Sequence, residues 1–503
     1  MRGRYAYVVI LVLALLAAGR PIAGDSASGT LASDGQAPRD LGALKRAINT
    51  QVRAAKQAAG QVGVHVMAVD DGREVYAYRA ELSHILASNT KLFTSAAALD
   101  HLGPGYFFET AVKVRGETVD GVLRGDLGVV GGGDPNISGR QYDGDSFAVF
   151  RQWAQALRDL GIRRISGELV LAAGLFDREY VHPDWPRNQL DRWYQAPVAA
   201  LSFNDNCALV KVEPTGGRGG APRISMVPEV PFMAVRGAVQ RTSRSRNQSV
   251  SIGRNPHAGT LKAQRTIKVS GRIWRGSEQV DKWVTVDDPV AYFGASLRAA
   301  FRQFGIRIDG EVIIQDRLEG AAWRTVAVHR SDILSTLDVI NKRSQNFYAE
   351  SVLKLLGARF CGRGTWAGGV DVVADFLRTA AGLDDFSLAD GSGMSRGNRS
   401  TPSQLTQLLR HMFFHRWGGE FVRTLPFSGE ADLRWATRLA EEPYKGNVLA
   451  KTGSLNGVST LSGYAKGVSG EIYAFSILMN QSRAGWRSKK AQDAILRALI
   501  TNG

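Results

Sequence analysis

The sequence feature that most constrains the fold is a pattern of helix, glycine stop, turn and strand that occurs twice in the middle of the chain. The first copy is a helix over residues 146–160 followed by a strand that ends at Val170. The second is a helix over residues 289–304 followed by a strand that ends at Ile313. Two similar units on either side of an unlike stretch indicate one domain that is interrupted by an insert. Residues 196–280, which form this insert, alternate in a way that predicts strands.

The segments outside this bracket predict one antiparallel sheet that is built from both ends of the chain. Alternating apolar residues indicate two strands near the N-terminus, joined by a turn at Asp70-Asp71-Gly72, and three strands near the C-terminus. We therefore expect a mixed α/β (α+β) domain with a five-stranded antiparallel sheet flanked by helices. The helices at the two chain ends would cover one face, and the helix after Ser88 would cover the other. The predicted strands are residues 62–69, 74–78, 447–453, 458–465 and 471–479.

The N-terminus has the order of segments that is typical of a secretory signal peptide. A basic start at Met1-Arg2-Gly3-Arg4 precedes 14 apolar residues, from Tyr5 to Ala18, and small residues follow around Ala23-Gly24. Fourteen apolar residues are short for a membrane span, although an uncleaved anchor is the alternative. The sequence thus predicts a signal peptide over residues 1–24 and a protein exported to the periplasm or cell-wall space.

Composition indicates a globular, basic protein of several domains. At 503 residues, with 44% hydrophobic and 22% charged residues, the chain is too long for one ordinary core and too apolar for global disorder. The net charge is +16, and eight arginines lie close together in the insert. Export argues against nucleic acid as their partner, so an anionic cell-wall polymer or membrane surface is expected, with a merely solvated face as the alternative. These arginines are Arg236, Arg241, Arg244, Arg246, Arg254, Arg265, Arg272 and Arg275.

Two cysteines and one pair of histidines are the other candidate special sites. Cys207 and Cys361 could pair in an oxidising compartment or remain as buried thiols, and they are too few for a disulfide framework or a zinc site. His411 and His415 have the i,i+4 spacing of a helical metal site, but no glutamate lies between them to act as a base. We therefore expect no metal.

The sequence Ser88-Asn89-Thr90-Lys91 lies where an apolar helix pattern begins. Residues i and i+3 of a helix share a face, so the hydroxyl of Ser88 and the amine of Lys91 can meet. A serine needs a nearby base before it attacks a carbonyl carbon, and a desolvated lysine can supply that base. The pattern alone is weak, because Ser351-Val352-Leu353-Lys354 repeats it within an ordinary helical run.

Two further polar motifs follow along the chain. Ser344-Gln345-Asn346, in a helical region, offers a hydroxyl able to relay a proton and an amide able to bind a peptide. Lys451-Thr452-Gly453-Ser454, on a strand, offers a positive charge, hydroxyls for a carboxylate and a glycine that allows close backbone approach. The alternatives are a polar turn between helices and a strand that ends with an exposed lysine.

In this order, the three motifs resemble the signature set of penicillin-binding proteins and serine β-lactamases. The chain most resembles the class C low-molecular-mass penicillin-binding proteins, the D-alanyl-D-alanine carboxypeptidase/endopeptidases of the penicillin-binding protein 4 type. Lys91 and Ser344 are 253 positions apart, and that family fills such a gap with two extra domains. Supporting stretches are residues 125–127, 133–135, 196–206 and 390–396.

The resemblance implies a serine β-lactamase/DD-peptidase-like domain that is interrupted by two nested, β-rich inserted domains. The DD-peptidase domain would comprise residues 41–108 and 325–503. Inserted domain II would comprise residues 109–195 and 281–324, and inserted domain III residues 196–280.

The resemblance also implies a serine hydrolase that acts on peptidoglycan stem peptides and cross-links without metal or cofactor. Ser88 would attack the carbonyl between the two D-alanines and form an acyl-enzyme, while Lys91 accepts its proton. Ser344 and Lys451 would pass a proton to the leaving D-alanine. β-Lactam antibiotics would acylate the same serine and act as covalent inhibitors.

The remaining motif residues would bind the substrate. Asn346 would hold the peptide amide, and Thr452 and Ser454 would receive the terminal carboxylate. The backbone N–H groups of Ser88 and Ser454 would form the oxyanion hole. By the same resemblance, Arg396 would contact the substrate.

The sequence departs from the family pattern at two glutamines, and two other functions remain as alternatives. Gln345 replaces the usual Asp of the second motif, and Gln189 lies where the family often has an acidic residue for the stem-peptide amino group, although Asp191 is close by. A serine β-lactamase is one alternative, but no Glu-x-x-x-Asn loop for deacylation is evident. A catalytically idle peptidoglycan-binding scaffold is the other, although a scaffold has no need of the complete set of motifs.

Overall fold

The computed structural model describes residues 40–214, 220–320 and 322–503, so the predicted signal peptide lies outside the described residues. No helix in these ranges is long and apolar enough to cross a membrane. The chain forms two compact units. Unit 1 comprises the described residues up to Gly105 together with Leu337–Gln345 and Val370–Gly503, and unit 2 comprises Tyr106–Thr336 and Asn346–Gly369.

Both units contain helices and strands. The helices are α1 (Leu41–Ala55), α2 (Thr90–Leu102), α3 (Ala148–Asp159), α4 (Leu261–Gln264), α5 (Pro289–Gln303), α6 (Ile333–Lys342), α7 (Asn346–Phe360), α8 (Trp366–Thr379), α9 (Pro402–Phe414), α10 (Gly418–Arg423) and α11 (Gly485–Asn502). The strands are β1 (Ala59–Ala68), β2 (Glu74–Tyr78), β3 (His84–Ile85), β4 (Phe107–Val119), β5 (Val122–Val130), β6 (Arg164–Ile165), β7 (Leu169–Ala172), β8 (Cys207–Glu213), β9 (Arg223–Val227), β10 (Ala234–Gly237), β11 (Gln240–Thr242), β12 (Ser249–Arg254), β13 (Thr266–Trp274), β14 (Val280–Thr285), β15 (Arg307–Ile308), β16 (Val312–Gln315), β17 (Arg324–Asp332), β18 (Arg399–Ser400), β19 (Val448–Leu455), β20 (Val458–Lys466) and β21 (Ile472–Ser482).

The main sheet of unit 1 has five strands in the order β19-β20-β21-β1-β2, and every neighbouring pair is antiparallel. Its strands come from both ends of the chain, and β1 lies between the C-terminal β21 and the hairpin partner β2. The predicted mixed α/β fold with a five-stranded antiparallel sheet is therefore confirmed.

One face of this sheet packs against the helices at the two chain ends, as predicted. Alternate residues of β1, including Val64 and Val66, are fully buried and share a core with Ile477 of β21. Ile48 of α1 and Leu496 of α11 close this core from the helical side. The period of two along the strand thus puts one set of apolar side chains against α1 and α11.

The other face is covered largely by α9, and this corrects the prediction that the helix after Ser88 covers it. Helix α9 packs across β1, β20 and β21. Its Thr406 hydroxyl bonds to His65 of β1, and its Leu409 carbonyl accepts a hydrogen bond from the Tyr464 hydroxyl of β20. The contact with β19 and β20 near Ser88 is made by the short 3-10 turn Ala87–Asn89, which precedes α2.

In unit 2, the two copies of the repeated sequence pattern lie side by side in one sheet. Strands β15 and β16 of the second copy pair in parallel with β6 and β7 of the first, and helices α3 and α5 contact each other. The stretch between the copies forms a three-stranded sheet (β14-β8-β9) and a four-stranded sheet (β10 to β13). The division into two inserted domains stays a prediction, and residues 346–369, assigned above to the DD-peptidase domain, lie in unit 2.

Candidate active site

Ser88 lies on the tight turn between β3 and α2, and hydrogen bonds from strand β20 hold this turn in place. The Asn89 amide bonds to the hydroxyls of Thr460 and Ser462, at 3.0 and 2.6 Å. The Thr460 hydroxyl also donates to the Leu86 carbonyl, at 2.8 Å. These bonds fix a backbone in which Ala87 has φ +47°, a conformation that side-chain-bearing residues rarely adopt. The serine is therefore presented from a constrained backbone.

Lys91 reaches back along α2 to this serine. Its Nζ lies 3.1 Å from Ser88 Oγ, as the i,i+3 spacing predicts, and donates at 2.7 Å to the Ser392 carbonyl. The side chain of Lys91 has no solvent exposure. A lysine removed from water and bonded to a partly exposed serine is the arrangement that proton transfer from the hydroxyl requires.

The loop over residues 390–398 supplies the carbonyl that orients Lys91, and sequence reasoning did not assign it this role. The buried Asp390 carboxylate accepts hydrogen bonds from the backbone N–H groups of Gly393 and Ser395, at 2.7 and 2.6 Å. It also accepts one from the Asn398 side chain, at 2.8 Å. Gly393 has φ +84°, and a Cβ on it would lie 1.8 Å from the Ala87 carbonyl oxygen, so only glycine fits against the Ser88 turn.

Lys451 forms the second lysine–serine pair. Its Nζ donates to Ser344 Oγ at 2.8 Å and to the Thr452 carbonyl at 2.9 Å. Complete burial, together with the positive charges of Lys91 and Arg434, holds the pKa of Lys451 well below its usual range. The two lysine–serine pairs lie close together, because a Cβ on Gly453, two residues after Lys451, would lie 2.9 Å from the Ser88 backbone nitrogen.

Ser344 lies in the short connection after α6, with φ +57°. Helix α6 is held within unit 1 by Asn341, whose side chain donates to the hydroxyls of Ser95 in α2 and Thr424, at 3.1 and 2.8 Å. At the end of α6, Lys342 forms an ion pair with Glu430 at 3.1 Å. These contacts keep Ser344 in reach of Lys451.

Strand β19 runs beside the Ser88 turn, and Gly453 makes this approach possible. A Cβ on Gly453 would lie 2.1 Å from Thr460 Oγ1 and 2.9 Å from both the Leu86 carbonyl oxygen and the Ser88 backbone nitrogen. Thr452 is partly exposed and Ser454 is exposed on either side of it. Two hydroxyls therefore lie next to the glycine that touches the Ser88 backbone.

The outer edge of β19 is open along the same residues. Strand β19 is the terminal strand of the five-stranded sheet. Its first part is covered by a neighbouring segment. Leu449 pairs with Phe427 in an isolated β-bridge, and the Ala450 N–H donates to the Pro426 carbonyl. Within the described residues, no strand pairs with this edge beyond Ala450, so Thr452 to Ser454 can present backbone groups to an extended peptide.

Arg396 and Asn346, the other two predicted binding residues, lie in different units. Arg396 in unit 1 donates at 2.5 Å to the Asn456 carbonyl in the β19–β20 turn, which ties its loop to the sheet. Asn346 is the first residue of α7 in unit 2, and its amide donates at 2.8 Å to the Tyr194 carbonyl. The Tyr194 hydroxyl in turn donates to Gln189, at 3.1 Å.

The second Ser-x-x-Lys pattern has an internal structural role. The Ser351 hydroxyl donates to the Phe347 carbonyl one turn earlier, at 2.9 Å, and both Ser351 and Lys354 are fully buried. Lys354 forms an ion pair with Asp177 at 2.6 Å and lies over the Trp366 ring, 3.6 Å from its centroid. Its lysine thus points to a carboxylate and an indole ring within unit 2.

The cysteines and histidines do not form a site in the described part of the chain. Cys207 is buried and Cys361 is partly exposed, and both are free thiols. His415 contacts Asp100 at 3.1 Å, and its ring centroid is 5.8 Å from that of His411. No group of three or more His, Cys, Asp or Glu side chains suited to a metal ion is found among the described residues.

Comparison with known proteins shows similarity over nearly the whole described chain. The model of the D-Ala-D-Ala carboxypeptidase 3 (S13) family matches residues 44–500. A D-alanyl-D-alanine carboxypeptidase from Actinomadura sp. (strain R39) is 33% identical over 457 residues, which cover 86% of this chain and 80% of that protein. The D-alanyl-D-alanine carboxypeptidase DacB from Haemophilus influenzae is 25% identical over 439 residues, with coverages of 86% and 88%.

A solved structure confirms the fold. The crystal structure of penicillin binding protein 4 (dacB) from Haemophilus influenzae superposes with a TM-score of 0.74 at 24% identity. The match covers 88% of this chain and 97% of that chain. The resemblance inferred from the three motifs is confirmed by these comparisons.

Replacing Lys451 with methionine should stabilise the fold and impair acylation. The pKa of Lys451 is lower in the folded protein than in the unfolded chain, so between the two values the unfolded chain binds more protons and stability rises with pH. Below this window the lysine destabilises the fold by a constant amount. For Lys451→Met we therefore expect a Tm above that of the wild type near neutral pH. The difference should shrink as the pH approaches about 10.4, the ordinary value for lysine.

Differential scanning calorimetry across this pH range measures the stability difference. Acylation by a labelled penicillin should fall by about 10²–10⁴-fold, the usual contribution of a proton-transfer group. A variant Tm below that of the wild type near neutral pH would mean that the hydrogen bonds of Lys451 outweigh the cost of burying it.

Adding one methyl group at Gly453 should separate the Ser88 turn from β19. The new Cβ of Gly453→Ala would overlap Thr460 and crowd the Ser88 backbone, so the strand or the turn must shift. We expect a stability loss of about 1–3 kcal/mol, typical of overpacking, and a much larger relative loss of penicillin acylation. Gly485→Ala is the matched control, because a Cβ there meets no atom within 4 Å. Equal acylation rates in the two variants would contradict the assigned contact.

Proposed function

Because the chain belongs to the D-Ala-D-Ala carboxypeptidase 3 (S13) family, we propose that Ser88 is the nucleophile with which it hydrolyses peptidoglycan stem peptides. The protein is a serine-type D-alanyl-D-alanine carboxypeptidase, a hydrolase. The observation that carries the assignment of the nucleophile is the 3.1 Å contact between Ser88 Oγ and the fully buried Nζ of Lys91. The second pattern, at Ser351, has no such partner arrangement, since Lys354 pairs with Asp177 instead.

The first half of the reaction forms an acyl-enzyme. Lys91, in its neutral form, takes the proton of Ser88 as Oγ bonds to the carbonyl carbon between the two D-alanines, and the carbonyl electrons move onto oxygen. Collapse of this tetrahedral intermediate breaks the C–N bond. The leaving amine receives a proton through Ser344 and Lys451, whose contact of 2.8 Å supports this relay.

The second half returns the free enzyme. A water molecule gives a proton to the lysine–serine network and attacks the ester carbonyl, and the ester bond to Ser88 breaks as Oγ regains its proton. The products are the shortened stem peptide and D-alanine. Because two buried ammonium groups repel each other, the pair of Lys91 and Lys451 favours the state in which one of them is neutral and able to accept a proton.

Strand β19 orients the substrate in this proposal. A stem peptide in extended form would lie along the open edge beyond Ala450, with its terminal carboxylate at Thr452 and Ser454 and its amide at Asn346. The backbone N–H groups of Ser88 and Ser454 would stabilise the oxyanion, and Arg396 would lie on the substrate side. The exposure of Ser454 beside the buried lysines supports this direction of approach.

We propose that the enzyme also cleaves D-alanyl cross-links as a DD-endopeptidase. The carbonyl that Ser88 attacks belongs to the same D-alanine in both substrates, and only the departing amine differs. The leaving group has to be accommodated on the exposed side of Thr452 and Ser454, where the site is open. We also propose that this activity is located in the periplasm or cell-wall space, which the signal-peptide pattern of residues 1–24 supports.

A labelled penicillin tests the nucleophile. The strained amide of a β-lactam should acylate Ser88 and give one adduct per chain, read by intact-protein mass spectrometry. Ser88→Ala should form no adduct, whereas Ser351→Ala, which removes the serine of the second pattern, should be acylated at the wild-type rate. Loss of the adduct in Ser351→Ala alone would overturn the assignment. Rapid turnover of the drug would favour a β-lactamase, and no adduct on any form would favour an inactive scaffold.

Defined peptidoglycan fragments test the two peptidase activities. We expect the wild-type protein to release D-alanine from a monomeric stem pentapeptide and to split a D-alanyl cross-linked dimer into monomers. Liquid chromatography with mass spectrometry separates these products, and Ser88→Ala should abolish both. Cleavage of the pentapeptide with no cleavage of the dimer would refute the endopeptidase proposal and leave the carboxypeptidase assignment intact.

A further inference from the structure

One long segment of unit 2 contains many cations and no acidic residue. Between Glu229 and Glu278 the sequence has ten arginines and lysines and no aspartate or glutamate. This segment forms the four-stranded sheet of β10 to β13, in which β12 pairs with one side of β13, and β10 and β11 pair with the other. The ten cations are Arg236, Arg241, Arg244, Arg246, Arg254, Lys262, Arg265, Lys268, Arg272 and Arg275.

Three of these cations make contacts inside unit 2. Arg254 is buried and donates to the backbone carbonyls of Thr285 and Val286, at 2.7 and 2.9 Å. Arg265 forms an ion pair with Asp287 at 2.9 Å. Arg241 also donates at 3.2 Å to the Gly220 carbonyl, and the other seven cations are exposed to solvent.

The four-stranded sheet has one apolar face and one polar face. Ile267, Val269 and Ile273 of β13 are buried in the core of unit 2, together with Ile252 of β12. The residues between them on β13, including Lys268, are exposed. Because side chains alternate along a strand, these residues all point to the outer face.

Three cations share this outer face. Arg236 of β10 is in register with Lys268 of β13, and Ser249 of β12 is in register with Arg272 of β13. Residues in register on neighbouring strands point to the same side, so Arg236, Lys268 and Arg272 lie on one surface. Their exposed neighbours on β12 and β13 are the serines 249, 251 and 270, and the partly exposed Trp274 lies at the end of the same face.

The spacing of these cations suits an extended chain of anions. Neighbouring strands are about 4.8 Å apart, which separates Arg236 from Lys268, and four residues along β13 place Arg272 about 13 Å from Lys268. Arg244 and Arg246, in the β11–β12 connection, are exposed and add charge at one end of the sheet. No carboxylate of the described chain forms an ion pair with Arg236, Lys268 or Arg272 within 4.0 Å.

We propose that the outer face of this sheet binds a linear polyanion, a polymer with phosphate or carboxylate groups repeated along its length. Guanidinium and ammonium groups in a row match such a charge pattern, and the small serine hydroxyls between them leave room for the polymer backbone and can bond to it. A membrane surface is a poorer fit, because the large apolar side chain that alternation puts on this face, Trp274 at the end of β13, is only partly exposed. This binding is independent of the peptidase chemistry.

The full-length mature protein tests the proposal with defined probes. Inorganic polyphosphate and polygalacturonate represent the two anion types, and binding is followed by calorimetry at several salt concentrations. The variant Arg236→Gln/Lys268→Gln/Arg272→Gln should lose at least tenfold in affinity for one or both polymers. The slope of log K against log salt concentration should be shallower by about 2, because the three lost contacts no longer release counterions from the polymer.

A second triple variant controls for net charge. Arg124, Arg163 and Arg302 are exposed arginines of unit 2 that lie outside the acid-free segment. Their replacement by glutamine removes the same charge and should change affinity by less than twofold. Equal losses in the two triple variants would mean that overall charge attracts the polymer, and the proposal would be overturned. It would also be overturned if neither polymer bound, or if phosphatidylglycerol vesicles or duplex DNA bound more tightly through the same three residues.

A measurement on the wild-type protein tests the proposal even if the triple variant does not fold. Bound polyphosphate should slow acetylation of Lys268 by an amine-reactive ester, compared with the exposed Lys489 on α11, as read by mass spectrometry. Equal rates at the two lysines would contradict the proposal. Penicillin adduct formation is measured in parallel, so a failure of the assigned nucleophile leaves the polymer result interpretable.

Discussion

Two lysines buried side by side are the constraint on which the catalytic unit depends. Lys91 and Lys451 both lack solvent exposure, and burial of a charged amine is costly unless hydrogen bonds compensate for the lost water. The compensating acceptors come from separate parts of the chain: the Ser392 carbonyl for Lys91, and the Ser344 hydroxyl for Lys451. The depressed pKa of Lys451 reflects the remaining cost of burying this amine near the positive charge of Lys91, and it favours the neutral form of Lys451.

Backbone constraint accompanies this electrostatic one. Ala87, Ser344 and Gly393 all have positive φ values, and each lies in a segment that touches one of the two lysine–serine pairs. Such conformations persist only where surrounding contacts determine them, and here those contacts are Asn89 with β20 and Asp390 with its own loop. The geometry around Ser88 is thus held by hydrogen bonds that do not involve the reacting groups.

The sequence predicted those parts of the site that have a side-chain signature. The order and spacing of three motifs predicted Ser88, Lys91, Ser344 and Lys451 as site residues, and the structure brings them together as two lysine–serine pairs. The period of two identified all five strands of the sheet. The Ser392 carbonyl was not predictable in the same way, because a backbone acceptor leaves no trace in residue type. The covering of the second sheet face by α9 was also missed, since an apolar helix face does not specify which sheet it packs against.

The interleaving of both chain ends in one sheet has a consequence for biosynthesis. Strand β1 is paired with β21, and Lys451 lies only 52 residues before the C-terminus at Gly503. A nascent chain therefore contains Ser88 and Lys91 long before it contains Lys451 or the strands β19 to β21. The five-stranded sheet, and with it the pair of buried lysines, can form only after the chain has been made as far as β21.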